Sequence, residues 1–356
     1  MSTASSSAGE WFTRLEPALP PHPSPPPQGG RENSSPSPLV GEGWGGGCRP
    51  DDPRLGEVVT FWQRGTPELR IGQPVLVGFP QDEGVRRNRG RTGAAQAPAT
   101  IRQWLYRLTP WDVVHDADLA ALEVLDLGDV TCSSDLEESQ QALAEVIAAI
   151  LTAGGVPIVL GGGHETAYGH YLGYVRAGRP TAIINFDAHL DVRPLIEGRG
   201  HSGSPFRQAL EHPSQPLHQD CYVVLGAQPQ AVSREHLHYV QSKGGVVHWA
   251  EKTGGRLEAI CRDEFHRLAV KQGSVYVTLD SDVVSQADVP GVSAPNPLGL
   301  PGQAVVACAA AAGACPAVSS FDLVEINPSF DRDSQSARWA AAVVWHFLSG
   351  LSRRRD

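Results

Sequence analysis

The chain has little sulfur of any organised kind: one methionine and six cysteines in 356 residues, none of the cysteines in CxxC spacing. Cys48, Cys132, Cys221, Cys261, Cys308 and Cys315 are scattered, so they form no thiolate metal or redox motif, and reduced, buried thiols in a cytoplasmic protein are expected. No run of about 18 apolar residues occurs, and no membrane span is expected. The N-terminus lacks the cationic start and apolar core of a secretion signal. Positive charge is also in deficit: 29 Lys and Arg stand against 39 Asp and Glu, a net charge of −10. That balance argues against a nucleic-acid surface, which needs a basic face. It leaves room for an anionic small substrate, because a pocket can carry charge opposite to the whole.

What is present divides unevenly. Residues 17–50 (PALPPHPSPPPQGGRENSSPSPLVGEGWGGGCRP) are rich in Pro, Gly and Ser with almost nothing to bury. Such a segment cannot offset the entropy of ordering and is expected to be disordered. Its flanks, WFTRLEP and DDPRLGEVV, look like two halves of one N-terminal segment, so residues 1–70 are taken as that segment carrying an insert. From residue 71 to 356 a regular rhythm follows. Short β-branched runs at 74–79, 122–130, 156–163, 181–189, 221–227, 245–249, 274–282 and 319–328 alternate with longer amphipathic stretches. One of these, SSDLEESQQALAEVIAAILTAG, opens with a Ser N-cap pattern and stops at Gly154 and Gly155. About eight strands separated by helices predict one three-layer α/β/α sandwich around a parallel sheet.

In such folds functional groups gather just beyond the carboxyl ends of the strands. Three strands here end in unusual polar residues: His164, then Asp187-Ala-His189-Leu-Asp191, then Asp280-Ser-Asp282. Residues i, i+2 and i+4 of an extended chain share a face, so DAHLD presents three ligands and DSD two. Four Asp and two His exceed the needs of one ion and suit two ions sharing carboxylates. An oxygen-rich set with some imidazole favours Mn, Mg or Fe over structural zinc. Four carboxylates also balance two divalent ions in formal charge; without them, they would raise one another's pKa values.

The ordered motifs GGGHE (161–165), DAHLD (187–191), HSGSPFR (201–207), DSD (280–282) and EINP (325–328) resemble those of the arginase-like ureohydrolase family, from about Pro74 to the C-terminus. The resemblance implies an eight-stranded parallel sheet, two Mn2+ per subunit, and a homo-oligomer. It implies that His164 and Asp191 hold one ion, that His189 and Asp282 hold the other, and that Asp187 and Asp280 bridge or lie between them. Glu325 matches the family glutamate that pairs with the substrate's cationic nitrogens, and His201 matches its proton-shuttling histidine.

The substrate follows from arginine. DEGVRRNRGRTGA (82–94) carries Arg86, Arg87, Arg89 and Arg91, and resembles the signature of the formimidoylglutamase branch, as do GGGHE and PGVSAP (290–295). Arg193 falls two residues after Asp191, and Arg207 follows His201. Guanidinium groups bind carboxylates in bidentate fashion. Arg86, Arg91, Arg193 and Arg207 are therefore candidates to hold a dicarboxylate tail, and the expected substrate is a small anionic amidine. Another ureohydrolase substrate, such as a guanidino acid, arginine or agmatine, is the alternative. Ser281 departs from many relatives but points away from the ligand face.

Overall fold

The structure is a computed structural model that describes residues 11–17 and 51–354. All eight expected strands are present: β1 (Pro74–Phe79), β2 (Leu125–Val130), β3 (Val156–Gly161), β4 (Ala182–Phe186), β5 (Tyr222–Ala227), β6 (Val246–Trp249), β7 (Val275–Asp280) and β8 (Val318–Val324). They are mutually parallel and lie in the order β2-β1-β3-β8-β7-β4-β5-β6. Strands such as PVLVGF and VPIVLG are buried at every position. A parallel sheet covered on both faces requires this, and it explains why these runs are continuously apolar.

The sheet is wider than the expected eight strands. Leu15–Glu16 pairs antiparallel with the far end of β2, and Thr60–Phe61 pairs parallel with its near end. Together they cover the outer edge of β2 and make a ten-stranded sheet. Capping an edge in this way removes open backbone donors and acceptors. The Pro/Gly/Ser-rich stretch expected at about 17–50 lies outside the described residues, apart from Pro17.

The helices pack in two series. Leu136–Thr152 lies against Thr166–Arg176, which meets Pro205–Leu210. In the other series Ala97–Leu105 packs on Gln335–Leu351, and Gly302–Ala314 lies between that helix and Leu257–Gln272. The N-cap of Leu136–Thr152 is Asp135, whose carboxylate accepts from Glu138 N, in place of the expected serine. Ser133 instead closes the preceding turn, its hydroxyl accepting from Asp135 N at 3.1 Å. Gly154 follows the helix at φ +80°, the left-handed position that ends it.

Candidate metal centre and substrate crevice

The order β3-β8-β7-β4 puts the carboxyl ends of four neighbouring strands side by side. His164 follows β3, Glu325 follows β8, Asp280 ends β7, and Asp187 follows β4. All six residues expected to hold ions converge there, in two groups: His164, Asp187, Asp191 and Asp280, and Asp187, His189 and Asp282. His164 Nδ1 faces Asp191 Oδ2 at 2.9 Å, Asp280 Oδ2 at 3.1 Å and Asp187 Oδ2 at 3.4 Å. His189 Nδ1 faces Asp282 Oδ2 at 3.2 Å and Asp187 Oδ1 at 3.3 Å. Asp187 thus turns one oxygen to each group. Asp280 sits with the His164 group, its Oδ1 accepting from Asp282 N at 2.9 Å.

Two buried oxygens at this place, Asp282 Oδ1 and Glu325 Oε2, have no hydrogen-bond partner, and three carboxylate oxygens crowd the single nitrogen His164 Nδ1. Buried polar atoms are nearly always satisfied, so a cluster of orphans marks a place for a ligand. The charges point the same way. Burial, Asp282 and Asp187 push Asp280 well above its ordinary pKa, and burial also raises Asp282. Burial opposes a charged His164, but Asp187, Asp191 and Asp280 outweigh it and hold the imidazole well above its usual value. The negative charge of Asp282, against burial, does the same for His189. Four carboxylates in one crevice demand positive charge, and oxygen donors with two imidazoles fit a pair of hard divalent cations.

Glu325 Oε1 accepts from His164 N at 2.8 Å, leaving Oε2 unpaired. Burial, then Asp280 and Glu165, push Glu325 well above the carboxylate range. Glu325 and Asp191 both adopt left-handed backbone, at φ 67° and 43°. Such strain in non-glycine residues concentrates at functional sites.

His201 is buried, and both ring nitrogens are engaged: Nδ1 accepts from Gly203 N at 3.1 Å, and Nε2 donates to the Pro194 carbonyl at 3.0 Å. Burial lowers its pKa and so favours the neutral ring.

The candidate arginines differ in how far they are committed. Arg86 forks onto Glu83, with both bonds at 2.6 Å. Arg91 donates to the Ser293 and Val292 carbonyls at 3.0 and 2.5 Å and lies over the Phe330 ring. Arg207 donates to the Val192 carbonyl at 2.8 Å and covers Tyr239. Arg193 is exposed, and its guanidinium donates to Asn88 Oδ1 at 3.2 Å.

Glu165 carries more than its motif signalled. Burial pushes it up to about 8. Its Oε1 accepts from Gly84 N at 2.7 Å, which ties the arginine-rich segment to the strand end that bears His164. A Cβ at Gly84 or Gly163 would come within 2.4 or 2.2 Å of the Glu165 carboxyl group, so both positions need glycine. Asn185 was also missed: its Nδ2 donates to Asp187 Oδ2 at 3.1 Å. The period of two along β4 could have found it, since 185 and 187 share a face.

Residues 73–350 match the arginase family, and the chain belongs to it. Among its relatives, the chain is 36% identical over 308 residues to the formimidoylglutamase of Chromobacterium violaceum, covering 85% of this chain and 96% of that protein. It is 40% identical over 284 residues to the formimidoylglutamase of Geobacillus thermodenitrificans, covering 78% and 84%. The crystal structure of Trypanosoma cruzi formiminoglutamase with Mn2+ superposes with a TM-score of 0.76 at 32% identity, covering 86% of this chain and 100% of that one.

Proposed function

We propose that this chain is a Mn2+-dependent formimidoylglutamase, hydrolysing N-formimidoyl-L-glutamate with one water to L-glutamate and formamide, a step of histidine breakdown. The observation that carries the reading is Asp187, with one oxygen turned to each of two ligand groups, beside the unpaired Glu325 oxygen. His164, Asp187, Asp191 and Asp280 would hold one ion, and Asp187, His189 and Asp282 the other. When bound, divalent ions held by these residues would supply the Lewis acidity that activates water near neutral pH. Glu325 Oε2 would accept from the amidinium, a charge-assisted bond that orients the planar carbon.

For the substrate's carboxylates, Arg193 is the best-supported partner, because it is exposed and commits one donor at 3.2 Å, whereas Arg86 and Arg91 each commit two and Arg207 commits its Nε to a carbonyl at 2.8 Å. These three fit a supporting role at the rim. The engaged ring of His201 supports holding the turn after Arg193 better than carrying a proton. The same reading has residues 71–356 as the catalytic unit, the stretch at 17–50 as an insert, and the protein at work in the cytoplasm as a homo-oligomer.

The test is turnover of formimidoylglutamate, arginine, agmatine and guanidinobutyrate by the Mn-loaded protein. Formimidoylglutamate should be preferred. Arg193→Ala removes a charge-assisted contact worth roughly 1.5–3 kcal/mol and should lower kcat/KM for it about 10- to 150-fold, with metal content intact. Arg193→Lys should recover part of the loss. Preference for agmatine, or an unaffected Arg193→Ala, would sink the dicarboxylate reading.

A further inference from the structure

One pleat below the ligands, three neighbouring strands carry a row of buried polar residues. Thr278 of β7 is in register with Asn185 of β4 on one side and with Asp322 of β8 on the other. All three are fully buried. Strand alternation puts Tyr276, Thr278 and Asp280 on one face, so Thr278 stands directly beneath a ligand. Its Oγ1 lies 3.2 Å from His164 Nε2.

The direction of that bond follows from chemistry. His164 Nδ1 faces three carboxylate oxygens and must offer a lone pair to hold a cation there. A neutral ring then carries its proton on Nε2, and Thr278 is the acceptor. Tyr276 lies two residues before Thr278 on the same strand and face. Tyr276 in turn donates its own proton to Asp322 Oδ2, which His170 Nδ1 meets at 2.9 Å. The Tyr276 hydroxyl is therefore committed as a donor to the carboxylate behind Thr278.

We propose that Thr278, backed by Tyr276 and Asp322, is the positioning residue that fixes His164 in the tautomer and orientation that point Nδ1 at the cation. This rests on His164 being a ligand. Groups behind metal-bound imidazoles set their orientation and basicity, and losing one typically costs 10- to 100-fold in metal affinity.

The experiment titrates Mn2+ into the chelator-stripped full chain, for wild type and for Thr278→Val, Thr278→Ser, Tyr276→Phe and His164→Ala. Thr278→Val keeps the shape and removes the acceptor. It should weaken one of the two binding steps about 10- to 100-fold while the melting temperature of the stripped protein stays near wild type. Thr278→Ser should restore affinity to within a few-fold, and Tyr276→Phe should weaken the same step less. A purely packing role would move the melting temperature and leave affinity alone. If His164→Ala loses an ion while Thr278→Val binds both as tightly as wild type, the proposal is overturned and the ligand reading stands. If His164→Ala keeps both ions, both fall. Should Thr278→Val fail to fold, unchanged affinity in Tyr276→Phe overturns the proposal.

Discussion

Two buried clusters of charge sit in the same sheet and are organised in opposite ways. At its outer side Arg102 meets Asp126 and Asp129 of β2: Nε and Nη2 bond Asp126 at 2.8 and 3.0 Å, Nη2 also reaches the Gly128 carbonyl at 2.8 Å, and Nη1 bonds Asp129. Tyr106 donates to Asp126 as well. Gly78 is the only residue that fits beside them, since a Cβ there would lie 1.8 Å from Asp129. At the carboxyl ends of β3, β4, β7 and β8, four aspartates and Glu325 face only two imidazoles, and Asp282 Oδ1 and Glu325 Oε2 are left unpaired. The first cluster is complete and serves the fold. The second is incomplete and calls for something to bind. Burial and charge alone would not tell them apart; satisfaction does.

Breaking the second cluster should have the largest effect. Asp187→Ala removes the carboxylate common to both ligand groups, so metal analysis should find both ions lost and turnover should fall to background. The fold should survive. Breaking the first should do the reverse. Arg102→Met leaves Asp126 and Asp129 buried without their cation, at a cost of about 3–5 kcal/mol. For a chain of this size that is roughly 4–7 °C in melting temperature, with metal content unchanged. An Arg102→Met protein that melts normally but loses its ions would erase the distinction.

Glu137 sharpens the comparison from the solvent side. Burial raises it, but Arg87 and Arg199 outweigh burial and hold it at about 2. A carboxylate depressed on folding adds stability that is present above its unfolded pKa of about 4.3 and is lost as pH falls toward 2. Glu137→Gln should therefore be less stable than wild type at pH 7 and indistinguishable near pH 2. The difference should stay at or below about 1 kcal/mol, because the side chain is 41% exposed. Deleting residues 18–48 should change least. Loop closure entropy varies slowly with length, so melting temperature and turnover should stay near wild type. A fall of many degrees would show that the segment packs.

The main strands were legible because parallel strands buried on both faces must be apolar throughout, and the ligands because an extended chain repeats every two residues. Leu15–Glu16 and Thr60–Phe61 were not, since two residues are too few to show a period. Asn185 in TAIINF and Thr278 in SVYVTL stood in view, but a polar residue in a strand gives no sign of what it touches until its register is known. Arginine was the least legible. Charge and spacing nominated Arg86, Arg91 and Arg207, while their partners Glu83, the Val292 and Ser293 carbonyls and the Val192 carbonyl depend on how the loops close.

Metal stoichiometry of the wild-type chain decides whether the incomplete cluster is a two-ion site. After chelator stripping and reloading with Mn2+, metal analysis should return two ions per chain. The melting temperature should rise on loading, because ions that bind only the folded state stabilise it. A folded protein that takes up one ion or none, and melts at the same temperature with and without Mn2+, would contradict the reading.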